Sequence, residues 1–280
     1  MTTLVGRPLP GHLSFLQPLV MNDLARFGNK NDGGYLLPLR SIDNLDALLS
    51  FGLADNWIFE KDLKDRFPDL LIHTYDHTVR PSVDGKILRR SIFKGLIKLF
   101  LFQASIPEVY GRIRAYREHK LFFFRRCTHF EEKIFNRRDN DSDATIGQVF
   151  SRVPGKSNVL LKMDIEGGEY RVIPQILEFS KAITLMVIEF HDTELYRELF
   201  EKRVKEILAD FEIVHLHGNN FIGTAADGLP EVLEITFLKR KFIAPNSPRR
   251  EVLPIPGLDA PNNPLKSDLP FAFATCATSR

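Results

Sequence analysis

The chain has 280 residues, of which 44% are hydrophobic and 26% are charged, and this composition predicts one elaborated globular domain rather than a chain disordered throughout. The two cysteines, Cys127 and Cys276, have no metal-ligand spacing, which argues against a disulfide framework and against a zinc site. No apolar run approaches the roughly 18–20 residues of a membrane span, and the start has no signal pattern. We therefore expect a cytoplasmic protein.

The charge is unevenly distributed although the net charge is only +2. The segment Arg80–Arg138 holds 15 Lys and Arg against 5 Asp and Glu, a charge of +10, and the rest of the chain is therefore at −8. This basic insertion is predicted to be helical, amphipathic and cationic. Three roles stay open for it: a lid over a crevice, a patch for an anionic membrane or glycan, and a nucleic-acid surface, which has the least support because no recognised binding module accompanies it.

The first residues of the chain are predicted to form an arm and a hairpin. The stretch up to about Val20 is rich in Pro and Leu without a sustained period, which is typical of an arm packed on a domain. Asn31–Gly34, with the sequence NDGG, lies between two short apolar pieces and predicts the turn of a β-hairpin. As a turn it needs no further function.

A strand, a glycine loop, a second strand and an aspartate follow. Ala47–Gly52 is predicted to be a strand, Glu60–Phe67 a helix and Leu70–Tyr75 the next strand. Asp76 then lies about twenty residues past the loop at Gly52, where an acidic side chain can accept hydrogen bonds from ribose hydroxyls. Because the loop has a single glycine, the pattern favours a nucleoside without a pyrophosphate over NAD.

The most informative stretch is Asn158–Tyr170, with the sequence NVLLKMDIEGGEY. Its apolar part is too continuous for a strand with one exposed face and ends before Gly167, so it predicts a central strand covered on both faces. Asp164 and Glu166 lie at its carboxyl end, and ligands of open α/β sheets bind outside such ends. The structural alternative is a turn followed by a helix whose first turn carries Glu169.

Two further strands end in polar or ionisable side chains. The next apolar strand ends at Glu189 and His191, and the strand after it ends at His217 and Asn219. Because ligands bind outside the carboxyl ends of parallel strands, we expect these side chains to lie near Asp164 in one site. Val232–Leu238 is predicted to close the sheet as an antiparallel hairpin partner.

These motifs give the chain a family resemblance. LLKMDIEGGEY is similar to the lysine-(M/I/V)-aspartate-(I/V)-glutamate-glycine-x-glutamate signature of FkbM-type S-adenosylmethionine-dependent methyltransferases, and MVIEFH and IVHLHGNN follow where the next two strands of that family end. The resemblance covers roughly Gly28 to Lys239. It implies an α/β, Rossmann-like class I methyltransferase fold, with a mostly parallel central sheet flanked by helices and a basic helical insertion.

The predicted domain organisation follows from the same boundaries. Residues 1–45 form the N-terminal arm and hairpin, residues 46–243 form the methyltransferase domain with its insertion at about 80–138, and residues 244–280 form a Pro-rich C-terminal tail.

The resemblance also implies roles for single residues. It assigns the cofactor contacts to loop and strand-end residues, namely Gly52, Leu53, Ala54, Asp55, Asp76 and Asp164. The first four would border the methionine part of S-adenosylmethionine, Asp76 would hold the ribose, and Asp164 would face the sulfonium and the acceptor.

Methyl transfer requires an acceptor oxygen held in line with the methyl group and a group that assists loss of its proton. We predict a catalytic set of Asp164, Glu166, His191 and His217, in which the two histidines are the candidate bases. An imidazole of ordinary pKa would make the rate rise between about pH 6 and 7. Alternatively, Asp164, Glu189 and His217 hold Mg²⁺ or Mn²⁺, which lowers the pKa of the acceptor hydroxyl.

The predicted function is methyl transfer from S-adenosylmethionine to a hydroxyl of a sugar, glycan or glycosylated metabolite, with no nucleic-acid partner. The alternative is a non-catalytic Rossmann-like binding protein that engages an anionic glycan or membrane surface, at the membrane periphery, through its basic insertion. An NAD-dependent sugar-modifying enzyme ranks lower because the pyrophosphate loop is missing. The sequence leaves the oligomeric state open.

Overall fold

The structure is a computed structural model that describes residues 7–54, 56–101, 103 and 105–273. The strands are β1 (Arg7–Pro8), β2 (Leu24–Gly28), β3 (Gly34–Pro38), β4 (Ala47–Phe51), β5 (Leu71–Tyr75), β6 (Thr128–Phe130), β7 (Lys133–Ile134), β8 (Asp143–Ala144), β9 (Val159–Met163), β10 (Ile183–Phe190), β11 (Phe211–Gly218), β12 (Leu233–Lys239), β13 (Val252–Leu253) and β14 (Phe271–Ala272). The α-helices are α1 (Leu39–Ile42), α2 (Ile58–Arg66), α3 (Pro81–Phe100), α4 (Ile106–Leu121), α5 (Ile146–Ser151), α6 (Glu169–Glu178) and α7 (Arg197–Ile207). Short 3₁₀ helices occur at Gly11–Leu16 and Arg240–Phe242, and a π turn follows α4 at Phe122–Arg126.

In the described part of the chain, seven strands form the central sheet in the spatial order β11-β12-β10-β9-β4-β5-β6. Neighbouring strands are parallel except around β12, which runs antiparallel to both β10 and β11. Numbered along the chain, the order is 3-2-1-4-5-7-6, so the first five strands have the Rossmann arrangement. The predicted α/β fold with a mostly parallel sheet flanked by helices is confirmed. Val232–Leu238 is antiparallel to its hairpin partner as predicted, but it does not close the sheet, because β12 lies between β10 and the edge strand β11.

The central strand β9 is buried at all five positions because both faces of the sheet are covered. Leu161 and Met163 pack into an apolar core that α5, α6 and α7 close, whereas Leu160 packs into a core closed by α2 and the β2–β3 hairpin. Successive side chains of a strand point to opposite faces, so a strand covered on both sides is apolar throughout. This is the pattern that the sequence shows.

The basic insertion forms a hairpin of α3 and α4, which connects β5 to β6. Gly85 of α3 lies against His119 of α4, and Gly95 lies against Arg112, so the two helices run antiparallel. The prediction of a helical insertion is confirmed. The sequence did not predict β6, because three residues with partly exposed side chains give no periodic signal.

The two ends of the described chain meet in a small sheet of order β1-β14-β13. The predicted hairpin before the main sheet is also present, as β2 pairs antiparallel with β3 from Leu24 opposite Pro38 to Gly28 opposite Gly34. The boundaries at 45/46 and 243/244 stay predictions. Among the residues described, no helix has both the length and the apolar character that crossing a membrane would require.

Candidate active site

The loops after β4, β9 and β10 lie at one edge of the sheet and hold strained backbone. Ala54, Glu166 and Asp192 have φ of 48°, 54° and 52°, and they are three of the four described non-glycine residues with positive φ. Such conformations cost on the order of 1–3 kcal/mol each and concentrate at functional sites. The strand order reverses between β4 and β9, which is where open α/β sheets bind ligands. This carboxyl edge is therefore the first candidate for a site.

The β4–α2 loop lies directly against the end of β9. The Asp164 amide donates to the Phe51 carbonyl at 2.9 Å, and a Cβ on Gly52 would overlap the Asp164 carbonyl oxygen. Gly52 also has a φ of +75°, which side chains disfavour. Buried Lys162 donates from Nζ to the Gly52 carbonyl and lies 3.9 Å from Asp164 Oδ2. The structure thus brings the predicted residues Gly52 and Asp164 into contact. Only glycine fits at position 52, because a side chain there would overlap Asp164.

Asp76 fixes the same loop from the other side. Its Oδ2 accepts from the amides of Leu53 and Ala54, both at 2.9 Å, and its Oδ1 accepts from the Thr78 amide at 2.7 Å and the Thr78 hydroxyl at 2.6 Å. Burial raises the pKa of Asp76, but these hydrogen bonds outweigh burial and lower that pKa to about 2. Both oxygens are thus engaged by the chain itself, and the predicted ribose contact stays a prediction. Asp55 lies outside the described residues.

Glu169 organises the loop after β9 and orients His191. This fully buried side chain accepts through Oε1 from the amides of Ile165 at 3.1 Å and Gly167 at 3.2 Å. The same oxygen lies 3.1 Å from His191 Nδ1. A carboxylate only accepts, so the imidazole donates from Nδ1 and turns Nε2 toward the crevice. Glu169 was predicted as an acid in the first turn of a helix, and His191 was predicted as a functional residue. In the structure the two side chains are hydrogen-bonded to each other and form one pair.

His191 Nε2 faces three carboxyl groups, at 3.4 Å from Glu166 Oε2, 3.7 Å from Asp164 Oδ1 and 3.9 Å from Glu189 Oε1. Burial lowers the pKa of His191, but the hydrogen bond and charge of Glu169, with the charges of Glu189 and Asp164, raise that pKa to about 9. His191 therefore carries a proton at neutral pH in this structure. One ligand atom each from Asp164, Glu166 and His191 lies within 4.8 Å of the others, a spacing that could hold a metal ion.

A second polar row crosses β10, β12 and β11. Glu189 is paired in register with Glu234, and Glu234 with His217. Burial and the charges of Asp164 and Glu234 raise the pKa of Glu189 well above its ordinary value. Its oxygens accept from Asn219 Nδ2 at 3.0 Å and from the Tyr35 hydroxyl at 3.4 Å. Glu189 is thus a buried carboxyl group whose ionised form is disfavoured at the sheet edge.

His217 is 3% exposed and has partners on both ring nitrogens. Nδ1 lies 3.2 Å from Glu234 Oε2, and Nε2 lies 3.1 Å from Asp268 Oδ1. Burial lowers the pKa of His217, but these two carboxylates raise that pKa to about 10. The structure thus differs from the prediction of a base with an ordinary pKa between 6 and 7. It also differs from the predicted metal set, because geometry groups Asp164 with Glu166 and His191 rather than with Glu189 and His217.

A cavity of about 550 Å³ opens beside this edge, within the range of about 300–1,000 Å³ that is usual for small-molecule sites. Its lining comes from the β2–β3 turn, the β4–α2 loop, α2 and α4, namely Asn29, Asp32, Asn56, Trp57, Ile58, Lys61, Arg114 and Glu118. Burial, with the charges of Glu234 and Asp164, raises the pKa of Asp32. Asp32 therefore joins the cavity to the carboxylates of the sheet edge.

Several residues of the site were not found from the sequence. Lys162 had a signal, since a lysine inside a buried apolar strand needs a partner. Asp32 was assigned to a turn with no function. Asn262, which donates to Glu234 Oε1 at 2.6 Å and to Asp32 Oδ1 at 3.2 Å, and Asp268 come from the tail, whose composition gives no indication of where it folds back.

No protein-family model matches the chain, and no curated protein matches it. The solved structures to which it is similar include the fibrillarin pre-rRNA processing protein of Methanococcus jannaschii, at 10% identity over 71% of this chain and 68% of that chain, with a TM-score of 0.37. Precorrin-6y C5,15-methyltransferase of Geobacter metallireducens is 13% identical over 72% of this chain and 84% of that chain, with a TM-score of 0.35. A predicted O-methyltransferase of Agrobacterium tumefaciens is 12% identical over 72% and 79%, with a TM-score of 0.32.

At these identities and TM-scores the likeness carries no argument about activity. The FkbM-type resemblance, the cytoplasmic location and the absence of a nucleic-acid partner stay predictions.

Proposed function

We propose that this chain is an S-adenosylmethionine-dependent O-methyltransferase whose acceptor is a hydroxyl of a sugar, glycan or glycosylated metabolite. The observation that carries the proposal is that two groups of residues meet at Asp164. One is the loop that begins at Gly52 and is held by Asp76, and the other is the hydrogen-bonded pair of His191 and Glu169. The Rossmann strand order supports the first group, because nucleotide cofactors bind at its switch point. The many carboxyl, amide and imidazole groups at the edge support a polyhydroxylated acceptor.

The residues at the edge fit a cationic cofactor. S-Adenosylmethionine supplies an electrophilic methyl group on a positively charged sulfur. The carboxylates of Asp164 and Glu166 would stabilise that charge, and Gly52 would let the backbone approach closely because it carries no side chain. Asp76 would bind a ribose only by giving up part of its hydrogen bonding to Leu53, Ala54 and Thr78.

His191 is the residue that would take the acceptor proton. His191 Nε2 would accept the proton that the acceptor hydroxyl loses as its oxygen takes the methyl group of S-adenosylmethionine, whose sulfur would keep the electron pair of the broken carbon–sulfur bond. With a pKa of about 9, His191 would be protonated at neutral pH. A positive group bound beside Asp164 lowers this pKa, because like charges disfavour protonation. Glu169 keeps the ring oriented throughout.

A metal-assisted version is the second candidate, and the grouping of Asp164, Glu166 and His191 favours it. Two carboxylates and an imidazole suit Mg²⁺ or Mn²⁺ when water completes the coordination. Glu169 would then serve as the outer carboxylate that fixes the tautomer of a ligating histidine. The ion would lower the pKa of the acceptor hydroxyl, so no histidine base would be needed.

Calorimetry with S-adenosylmethionine tests the proposal first. We expect a Kd below about 1 mM, in the usual range for enzyme ligands, and a much weaker affinity in Asp164→Asn. Asp69→Asn is the matched control, because Asp69 is exposed just before the opposite, amino end of β5. A folded protein that releases no heat at millimolar cofactor would contradict the proposal and leave the non-catalytic binding protein as the better description.

Methyl transfer to a panel of mono- and oligosaccharides, followed by mass spectrometry, tests the acceptor class. Addition of EDTA then separates the two versions of the chemistry. With a metal, chelation abolishes transfer and Mg²⁺ or Mn²⁺ restores it, whereas with a histidine base chelation has no effect. Transfer to other acceptors but to none of the sugars would retain the methyltransferase and refute the carbohydrate acceptor.

A further inference from the structure

The outer face of α3 carries an exposed apolar stripe. Phe93, Leu96, Ile97 and Phe100 are 66%, 48%, 46% and 84% exposed. Their spacing of i, i+3, i+4 and i+7 places them on one face of the helix. Monomeric proteins seldom expose contiguous apolar patches of this kind unless the patch contacts something. In the described part of the chain, no other element covers this stripe.

The other face of α3 is occupied by α4. Gly95 lies against Val109 and Arg112, and Arg112 donates to the Ser91 hydroxyl at 3.1 Å. At the base of the hairpin, Phe123 packs against Trp57 with ring centroids 5.1 Å apart. The hairpin is therefore anchored at one end, and the stripe faces outward toward the far end of a helix of 20 residues, about 30 Å long.

Positive charge surrounds the stripe. The sequence of α3 contains five Lys and Arg and one Asp, and Lys94 and Lys98 are exposed among the stripe residues. A second copy of this chain would bring like charges together at such a surface. Phe93 and Phe100 could stack on nucleic-acid bases, but aliphatic Leu96 and Ile97, which lie between them on the same face, offer no stacking platform. A helix with an apolar face flanked by basic residues is instead typical of binding in the plane of an anionic membrane interface.

We propose that the α3–α4 hairpin docks on a lipid membrane rich in anionic headgroups. Phe93, Leu96, Ile97 and Phe100 enter the boundary between headgroups and acyl chains, and Lys94 and Lys98 contact the headgroups. The proposal goes beyond the methyltransferase activity and does not depend on it, because neither the stripe nor the lysines belong to the carboxyl edge of the sheet.

Co-sedimentation of the full chain with vesicles tests the proposal. We expect binding to phosphatidylcholine vesicles that contain about one-third phosphatidylglycerol and little binding to pure phosphatidylcholine. Binding should weaken steeply with salt, because the Debye length falls from about 10 Å at 0.1 M to about 3 Å at 1 M. Equal binding to neutral and anionic vesicles, or to neither, overturns the proposal.

Two pairs of variants identify the surface. The double variant Phe93→Ser, Phe100→Ser should lower the coefficient for partition onto anionic vesicles by about tenfold or more. The control is Leu195→Ser, Leu265→Ser, which should leave that coefficient unchanged. Its two leucines are also highly exposed, at 73% and 93%, but lie outside the stripe. Lys94→Glu with Lys98→Glu should abolish selectivity for anionic vesicles, and Lys181→Glu with Lys202→Glu should retain it. All eight substitutions are at exposed positions, so unchanged circular dichroism and thermal unfolding are expected for the four double variants.

Other occupants give different results in the same experiments. If sedimentation velocity shows a dimer that the Phe93→Ser and Phe100→Ser variant dissociates, the stripe binds a second copy and the membrane proposal is wrong. Membrane binding that survives loss of both phenylalanines also overturns it.

Discussion

The carboxyl edge of the sheet and the α3–α4 hairpin differ in nearly every physical property. At the edge, acidic side chains are buried and hydrogen-bonded: Glu169 meets two amides and a histidine, and Asp76 accepts four hydrogen bonds. On the hairpin, basic and apolar side chains are exposed, and Phe93 and Phe100 lie in solvent. The edge holds polar atoms in fixed positions, whereas the hairpin presents apolar and basic side chains to solvent.

The two regions meet at the 550 Å³ cavity. Arg114 and Glu118 of α4 line one side of it, and Asp32 and Asn56 line the other. The prediction of a lid over the crevice therefore concerns the side of α4 that lines the cavity, whereas the prediction of a patch for an anionic membrane or glycan concerns the outer face of α3. One insertion carries both features because its two helices face different surroundings.

Replacement of His191 should have the largest effect on methyl transfer. This residue lies at the carboxyl edge of the sheet, so the substitution tests that region alone. His191→Ala should lower the methyl-transfer rate by about 10²–10⁴-fold, the usual contribution of a general base, while calorimetry finds nearly unchanged cofactor affinity. His12→Ala is the control, because the His12 side chain is 58% exposed and remote in sequence from the edge loops.

His217→Ala sharpens this test, since both histidines were predicted as bases. Both ring nitrogens of His217 are bonded to carboxylates, so this change should reduce stability more than it reduces the rate of the folded enzyme. Wild-type activity in His191→Ala, with activity lost in a stably folded His217→Ala, would reverse the two roles.

Alanine in place of glycine should act oppositely in the two regions. Gly52→Ala puts a methyl group onto the Asp164 carbonyl at a φ of +75°, so we expect a loss of about 2–4 kcal/mol in the free energy of unfolding. Gly111→Ala in α4 meets no atom within 4 Å and should add about 0.5–1 kcal/mol of helix propensity. Urea unfolding measures the loss in Gly52→Ala, and slower amide hydrogen exchange in α4 measures the gain in Gly111→Ala, because a unit that opens locally exchanges at its own free energy. Wild-type stability of Gly52→Ala in urea would refute the close approach at Gly52.

The sequence predicted the sheet better than it predicted the site. The strands β4, β9 and β10 are apolar because both faces are covered, and that pattern can be read locally. Asp164 and His191 could be found because each follows such a strand. Asp268 and Asn262 could not, since tail residues reach His217 and Glu234 only after the chain folds back.

Protonation of His217 should make stability fall as pH rises. Burial lowers the pKa of His217, but Asp268 and Glu234 raise it to about 10 from the ordinary 6.5. The folded pKa is the higher one, so this contribution is fully present below pH 6.5 and is lost as pH rises through about 10. Between those values the slope approaches about 1.4 kcal/mol per pH unit.

The variant His217→Gln isolates this contribution, because groups that titrate elsewhere cancel in the difference from wild type. Urea unfolding at several pH values should show the difference in the free energy of unfolding shrinking toward high pH. A difference that stays constant from pH 6.5 to 10 would mean that the Asp268 and Glu234 contacts do not hold a proton on His217.

The smallest expected effect tests whether the hairpin unfolds separately from the body. Ser105 caps α4 and Thr145 caps α5, each in a capping box with the residue three positions later, and removal of such a cap costs about 1 kcal/mol. Helix α5 buries Ile146, Val149 and Phe150 in the core, so Thr145→Ala should lower global stability in urea unfolding.

The hairpin contacts the body mainly at its base, so Ser105→Ala should leave global unfolding nearly unchanged. It should instead accelerate amide hydrogen exchange in α3 and α4, because locally opening units exchange at their own free energy. If Ser105→Ala lowered global stability as much as Thr145→Ala does, the hairpin would belong to the same cooperative unit as the sheet.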